Sequence, residues 1–280
     1  MGSTIFLSAV VLIGIGLILG AAIGVVYKFF EVPVDPRVEL LLELLPGVNC
    51  GGCGRAGCAD FARALIGGEA APAKCPVASQ EVVAQLAQVL GVEIGRAAKQ
   101  VAVILCGGDL THAKGQMLYN GVDDCISASQ VAGGPKGCRY GCLGMGSCAR
   151  ACPFEAIGIV NGLAVVHNEY CVGCGKCVDV CPRGLVKLVP VDAKVHIYCK
   201  SPEKAPAKMK VCDIPCIGCR KCVKAADEGQ FTVNGFLVEV NYGDYPRPDV
   251  IEKAKCPKNC LQTCRGHEEF EYGKSIGESA

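Results

Sequence analysis

The stretch Cys171-Val-Gly-Cys174-Gly-Lys-Cys177-Val-Asp-Val-Cys181-Pro182 decides the fold of this chain. Two residues separate each of the first three cysteines from the next, and three residues separate the third cysteine from the fourth. This spacing brings several thiolates onto one tight loop. The proline that follows then turns the chain away. This is the spacing with which a short peptide holds a [4Fe–4S] cluster. The sequence therefore predicts an iron–sulfur module at this position.

The cysteine content extends this interpretation to the rest of the chain. Twenty-two of the 280 residues are cysteines, and most lie in closely spaced runs. A chain of this length does not need disulfides, and tight CxxC pairs suit metal better than bridges between distant strands. Zinc is the stronger alternative because four thiolates bind it readily, but zinc ligands usually come as two separated CxxC pairs. We therefore expect iron–sulfur clusters.

Charge and composition narrow the choice of partners and activities. The net charge is +1, tryptophan is absent and there is no basic run, so we expect no nucleic acid partner. No glycine-rich loop follows a strand and opens a helix, which argues against a dinucleotide site. No triad-like or paired-carboxylate spacing would support hydrolysis. We expect no catalytic residue and no NAD or flavin site on this chain.

The N-terminal segment predicts a membrane anchor. Thr4–Tyr27 contains no charged residue, and a helix of that length spans about 36 Å, enough to cross a bilayer core. A cleaved signal peptide is the alternative, but no basic segment precedes the run and the run is unusually long. Lys28 and Arg37 follow it, which predicts a single pass through the cytoplasmic membrane with the body on the cytoplasmic side. Small residues every fourth position predict packing against a second membrane helix: Gly16, Gly20 and Gly24.

A first cluster site is predicted soon after the anchor. Cys50-Gly-Gly-Cys53 and Cys58 are followed by Cys75-Pro76, and Ala59–Ile66 between them has helical spacing. Such a helix would return the distant fourth thiolate to the loop that carries the first three. These four cysteines therefore predict a self-contained [4Fe–4S] site.

The second module, residues 135–190, contains two cysteine runs. In two-cluster ferredoxins the fourth cysteine of each run ligates the cluster of the other run, a relation that we call the crossing rule. Short apolar runs around Asn161-Gly162 predict a hairpin between the halves. The predicted ligand sets are Cys138, Cys142, Cys148 with Cys181, and Cys171, Cys174, Cys177 with Cys152.

The third module has lost part of the same pattern. Ala226 occupies the position of the fourth cysteine, and no second CxxCxxC run follows. By the crossing rule these losses belong to one cluster, so that cluster is missing as a unit. One cluster is predicted here, from Cys216, Cys219, Cys222 and Cys256.

Six cysteines remain outside these sets. Four of them suffice for a fifth cluster between the two ferredoxin modules, although buried apolar thiols are the alternative. The predicted fifth set is Cys106, Cys125, Cys199 and Cys212. Cys260 and Cys264 lie in an exposed-looking, charged C-terminal segment, and we do not expect them to be ligands.

The whole arrangement resembles a known family. The uncharged helix, the Cx2Cx4Cx16C site, the ferredoxin modules and the stretch Gly133-Gly-Pro-Lys-Gly-Cys-Arg-Tyr-Gly-Cys-Leu-Gly144 are similar to the B subunit of the Rnf complex, from Thr4 to about Cys256. The resemblance implies a membrane complex that oxidises reduced ferredoxin, reduces NAD+ and moves Na+ or H+. It implies soluble ferredoxin, other subunits and membrane lipid as partners, and makes this subunit the entry point for electrons.

Together these patterns predict an α+β fold with an N-terminal transmembrane helix, a small helical 4Fe–4S domain and two ferredoxin-like βαβ-type modules, the second degenerate. The expected domains are an anchor (1–30), a 4Fe–4S domain (31–95), a connecting segment (96–134), a two-cluster ferredoxin domain (135–190), a degenerate ferredoxin domain (191–265) and a tail (266–280). Two other interpretations stay open: an electron-transfer subunit of a hydrogenase or formate-oxidising complex, and a non-redox protein whose clusters are structural or sensory.

Overall fold

A computed structural model describes residues 2–29, 35–93 and 99–263 of the chain. It divides into two units, Met1–Leu41 and Leu42–Ala280. The helices are α1 (Gly2–Phe29), α2 (Pro36–Leu44), α3 (Cys58–Ile66), α4 (Gln80–Leu90), α5 (Cys125–Gln130), α6 (Ser147–Arg150), α7 (Lys176–Asp179), α8 (Ala205–Val211), α9 (Lys221–Ala225) and α10 (Asp249–Ala254). The strands are β1 (Gln100–Ile104), β2 (Ile157–Val160), β3 (Leu163–Val166), β4 (Val186–Pro190), β5 (Val195–Ile197), β6 (Phe231–Asn234), β7 (Leu237–Val240) and β8 (Leu261–Thr263).

Helix α1 is the predicted N-terminal helix. Its stretch Phe6–Lys28 has a mean hydropathy of 2.8 and is long and apolar enough to cross a membrane. A helix that is apolar on every face and leaves those faces uncovered suits a lipid environment. The helix itself is confirmed, whereas its orientation and its packing through the glycine face stay predictions.

The second unit contains two ferredoxin-like modules with the same order of elements. The central module runs β1-α5-α6-β2-β3-α7-β4, and the C-terminal module runs β5-α8-α9-β6-β7-α10-β8. In each, the first strand pairs with the last, and the two inner strands form a hairpin. All four ribbons are antiparallel. The α+β class is confirmed, and so is the predicted hairpin at Asn161-Gly162, whose strands pair from Ile157↔Val166 to Val160↔Leu163.

The central module begins earlier than the sequence suggested. Strand β1, predicted to lie in a connecting segment, pairs with β4 in a register that runs from Gln100↔Pro190 to Ile104↔Val186. Its partner is distant in sequence, and four of its five residues are buried without alternation. Periodicity alone does not separate such a short apolar run from other buried segments, which is why the strand was missed.

Cysteines form part of the core of each module. In the central module they pack among Val101, Val189 and Leu185, and in the C-terminal module among Val195 and Val238. Each core is small because each sheet has only two strands. Sulfur therefore completes cores that are otherwise mainly aliphatic.

Glycines allow the cysteine loops to lie directly against the hairpins. Gly144 and Gly218, each two residues after the first cysteine of a closely spaced run, have φ of 80° and 68°. A Cβ atom at Gly144 would meet the carbonyl oxygen of Gly162, and one at Gly218 would lie 2.9 Å from the carbonyl oxygen of Phe236. Both the backbone angle and the close approach therefore require glycine.

We expect Gly218→Ala to destabilise the protein more than Gly235→Ala. Gly235 also has a positive φ, 60°, but nothing lies within 4 Å of its Cβ position. In the control, Gly235→Ala, the free energy of unfolding should therefore fall only by the cost of placing a side chain at positive φ, about 1 kcal/mol. Gly218→Ala adds overpacking of roughly 1–3 kcal/mol.

Thermal unfolding of anaerobically prepared protein, followed by far-ultraviolet circular dichroism, measures the difference between these variants. Equal midpoints for the two would contradict the close packing of this loop.

Candidate iron–sulfur sites

Cysteines in the second unit gather around four cavities. Within residues 2–29, 35–93 and 99–263, no three His, Cys, Asp or Glu side chains converge closely enough to hold one metal ion. The sulfurs instead stand around cavities with mainly apolar walls, which suits a group larger than a single ion. The cavities are lined by Cys106, Cys138, Cys199 and Cys212; by Cys125, Cys142, Cys148 and Cys181; by Cys152, Cys171, Cys174 and Cys177; and by Cys216, Cys219, Cys222, Cys256 and Cys260.

The Cys171 site (Cys152, Cys171, Cys174 and Cys177) brings together the four cysteines that the crossing rule predicted. The backbone amide of Ala102 donates to the sulfur of Cys171 at 3.3 Å, and that of Ala156 donates to the sulfur of Cys152 at 3.4 Å. Burial raises the pKa of Cys177 to about 12. A thiol of this kind gives up its proton when it binds metal, so cluster binding and proton release are coupled.

The Cys142 site (Cys125, Cys142, Cys148 and Cys181) differs from the prediction in one residue. Cys125 stands where the sequence placed Cys138. The regular spacing is CxxCxxCxxxCP. When its fourth cysteine is placed at Cys152, its second cysteine falls at position 145, where this chain has Met145. Cys125, which comes from a separate segment, lines the cavity in place of that cysteine. Burial raises the pKa of Cys148 to about 12. The signal was available in the sequence as Cys142-x2-Met145-x2-Cys148.

Polar contacts position Cys125 beside the rest of this site. It is the first residue of α5, and its backbone amide donates to Ser147 Oγ at 2.8 Å. Ser147 Oγ donates in turn to the carboxylate of Asp124 at 2.8 Å, and that carboxylate caps α5 by accepting from the Ser127 amide at 2.9 Å. Asp124 and Ser147 thereby tie α5 to α6, which carries Cys148.

The shared site (Cys106, Cys138, Cys199 and Cys212) draws two thiols from each module. Cys106 and Cys199 each follow the first strand of their module by two residues. Cys138 and Cys212 each precede the first cysteine of the next run by four residues. The cavity differs from the grouping predicted from the sequence in one member, because Cys138 lines it whereas Cys125 lines the cavity of the Cys142 site. Burial raises the pKa of Cys106 to about 12.

The Cys216 site (Cys216, Cys219, Cys222 and Cys256) contains the predicted four, together with Cys260. The sequence suggested an exposed position for Cys260, but only 2% of its surface is exposed. Its side chain lies within hydrogen-bonding reach of the sulfurs of Cys199 and Cys216, holding the pKa of each at about 6. The strand β8 that follows Cys260 pairs with β5, and this non-local pairing carries the thiol into the core. Cys264 lies outside the described residues.

The Cys50 site (Cys50, Cys53, Cys58 and Cys75) precedes the two modules. Cys58 is the first residue of α3, and its amide donates to Asn49 Oδ1 at 2.8 Å. Helix α3 confirms the helical segment predicted between the loop and the distant cysteine. Burial raises the pKa of Cys75, and the nearby thiols of Cys50 and Cys53 raise it further.

Neighbouring sites are in contact, so the five groups form one series. A Cβ at Gly52 would lie 2.9 Å from Cys174 Cα, which joins the Cys50 and Cys171 sites. Cys177 lies close enough to Cys148 to raise its pKa, which joins the Cys171 and Cys142 sites. The Cys142 amide donates to the sulfur of Cys106 at 3.3 Å, and Cys260 bridges from the shared site to the Cys216 site.

Comparison with known proteins identifies two of these regions. Residues 45–77 match a family model described as "Putative Fe-S cluster", and residues 134–182 match one described as "4Fe-4S dicluster domain". The first contains the Cys50 site. The second contains most of the cysteines of the Cys142 and Cys171 sites.

Relatives extend the similarity over most of the chain. The B subunit of the Na(+)-translocating ferredoxin:NAD(+) oxidoreductase complex of Acetobacterium woodii is 41% identical over 93% of this chain and 77% of its own length. The B subunit of the ion-translocating oxidoreductase complex of Methanosarcina acetivorans is 38% identical over 86% of this chain and 92% of its own length. The B subunit of the proton-translocating ferredoxin:NAD(+) oxidoreductase complex of Clostridium ljungdahlii is 42% identical over 76% of each chain.

These relatives confirm the resemblance found in the sequence. The similarity to them extends over a length that no single ferredoxin motif could account for. The chain therefore belongs to the family of B subunits of Rnf-type ion-translocating oxidoreductase complexes.

Proposed function

We propose that this chain is the membrane-anchored iron–sulfur subunit that accepts electrons from reduced ferredoxin and relays them within an ion-translocating ferredoxin:NAD+ oxidoreductase complex. The observation that carries the proposal is the unbroken series of cysteine groups from the Cys50 site to the Cys216 site. The names of the relatives support the ferredoxin and NAD+ specificity and the partnership with other subunits. The apolar helix α1 supports an anchor in membrane lipid, and Lys28 supports a body on the cytoplasmic side.

The residues present fit [4Fe–4S] clusters at all five sites. Each site offers four cysteine sulfurs, which are the usual ligands of such clusters. Bound clusters would supply one-electron chemistry. The chain itself contributes burial and backbone donors, such as the Leu185 amide at 3.4 Å from the Cys181 sulfur. Donors of this kind help to set reduction potentials.

We assign the ligand sets from the cavities rather than from the order of cysteines along the chain. The Cys142 site takes Cys125 as the substitute for the cysteine missing at Met145. The shared site takes two thiols from each module, which supports a fifth cluster at their junction. Cys256 completes the Cys216 site because its counterpart in the central module, Cys181, is likewise followed by proline.

The C-terminal module is the proposed entry point for electrons. Cys219 is the most accessible of the described cysteines, and its site is partly walled by Arg220, Lys221 and Lys258. None of these three cations forms an ion pair among the described residues. A basic rim around an exposed ligand suits a donor with an acidic surface, because opposite charges steer the two proteins together.

Iron content tests the ligand sets. Anaerobically purified protein should contain about twenty irons, and Cys106→Ala should lose about four of them. Cys125→Ala should lose about four irons from the Cys142 site, and adding Met145→Cys should restore them, because it rebuilds the regular run. Iron and acid-labile sulfide are measured on each variant.

Two results would contradict these assignments. Loss of the same cluster signal in Cys125→Ala and Cys106→Ala would restore the grouping predicted from the sequence. Zinc in place of iron in the unmodified protein would overturn the cluster assignment altogether.

The double variant Arg220→Glu/Lys221→Glu tests the entry point. The initial rate of electron acceptance from reduced ferredoxin should fall at least about tenfold at low ionic strength and change little at high salt. Stopped-flow absorbance of the clusters measures the rate, with unchanged iron content as the condition for comparison.

Lys99→Glu is the control for a charge reversal away from the C-terminal module, compared with the single variant Lys221→Glu. Lys99 is exposed and precedes Gln100, whose carbonyl oxygen packs against Gly173 of the Cys171 site, so it lies near the opposite end of the series. An equal loss of rate in the control would remove the C-terminal module as the place where the donor docks.

A further inference from the structure

Two lysines are buried beside the shared site. Lys136 is 3% exposed and Lys208 is 1% exposed, and both line its cavity. The Lys136 ammonium donates to the carbonyl oxygens of Gly108 at 2.8 Å and Gly162 at 2.6 Å. That of Lys208 donates to the carbonyl oxygens of Cys216 at 2.8 Å and Phe236 at 2.9 Å. Among the described residues, neither forms an ion pair with a carboxylate.

A buried ammonium without a counter-ion is costly, so its retention requires a negative charge nearby. Besides the carbonyl oxygens that accept from the two ammonium groups, the cavity they line holds the four cysteines of the shared site. The Lys136 ammonium donates to the Gly162 carbonyl, which packs against Gly144 in the loop of the Cys142 site, and the Lys208 ammonium donates to the carbonyl of Cys216 itself. Each lysine therefore lies between the shared site and the adjoining site of its own module.

The two modules reach this arrangement from different sequence positions. Lys136 precedes Cys138 by two residues, whereas Lys208 lies in α8 and precedes Cys212 by four. Both nonetheless donate to the carbonyl that packs against the glycine of the neighbouring cysteine loop, Gly162 in one module and Phe236 in the other. A purely structural brace could use an uncharged amide donor. The recurrence of an ammonium at both junctions indicates that the charge is the common requirement.

We propose that Lys136 and Lys208 are the internal counter-charges of the clusters on either side of them and raise the reduction potentials of those clusters. The inference rests on the proposed function, because it needs clusters at these sites. A site that accepts one electron, from a neighbour that is oxidised by one electron, gains one negative charge. A fixed ammonium stabilises that added charge without any proton transfer. The shared site lies beside both lysines, so the reduction potential of its cluster is raised most.

Redox titration monitored by electron paramagnetic resonance tests this on the anaerobically purified full chain. The variants are Lys136→Gln, Lys136→Arg, Lys208→Gln and Lys208→Arg. Lys210→Gln is the control, because it removes an exposed lysine from the same helix as Lys208. Signals are assigned by their absence in Cys106→Ala, Cys148→Ala, Cys219→Ala and Cys53→Ala, one variant each for the shared, Cys142, Cys216 and Cys50 sites.

Each glutamine variant should shift the midpoint potential of its two adjoining clusters downward, and the arginine variants should keep it near that of the unmodified protein. The shared cluster should shift with either lysine, whereas the Cys50 site and the Lys210→Gln control should not move. Unchanged potentials in a fully loaded glutamine variant would overturn the proposal.

Loss of iron is also informative. Iron retained in the arginine variant but lost in the glutamine variant would support a requirement for charge, whereas loss in both would indicate a brace of fixed shape and overturn the proposal. Absence of the Cys106-dependent signal from unmodified protein would refute the fifth cluster alone. The lysines would then be judged on the Cys142 and Cys216 sites.

Discussion

The convergence of four cysteine sulfurs on one small cavity is the constraint from which the rest of the second unit follows. Two-stranded ribbons alone offer little apolar surface to bury, and their cores are completed by thiols such as Cys171 and Cys177. To bring sulfurs inward, the loops must run flat against the hairpins, which only glycine permits at Gly144 and Gly218. Backbone amides are left pointing at sulfur. The same geometry thus specifies the loops, the core and the electrostatic surroundings of each site.

The repeated architecture of the two modules accounts for the way the sites adjoin one another. The central and C-terminal modules repeat one order of elements and one pairing scheme. In the first, cysteines of both runs line the cavities of the Cys142 and Cys171 sites. In the second, Ala226 stands at the position of Cys152, and only one site remains. At the junction, each module adds two thiols and one buried lysine. The shared site therefore belongs to neither module and needs both to be folded.

The sequence predicted whatever depends on local spacing. The Cys171 run, helix α3 and the hairpin at Asn161-Gly162 are all encoded within a few residues of one another, and each is present. Strand β1 and the burial of Cys260 depend on partners far along the chain, and both were missed. The exchange of Cys125 and Cys138 is an intermediate case. Met145 is a local sign that one cysteine of the run is missing. Assigning the cysteines in their order along the chain hides this sign, because Cys138 is then taken as the missing member.

The serial arrangement of the sites also determines how the protein would fail. Among the described residues, contacts join each site to the next one in the series, so damage to one site would interrupt the series at that point. Cys219 is the most solvent-accessible of the described cysteines, and its site lies at the end of the series. An oxidant arriving from solvent would attack that terminus first. Such damage would remove the C-terminal end of the series while leaving the other sites chemically intact.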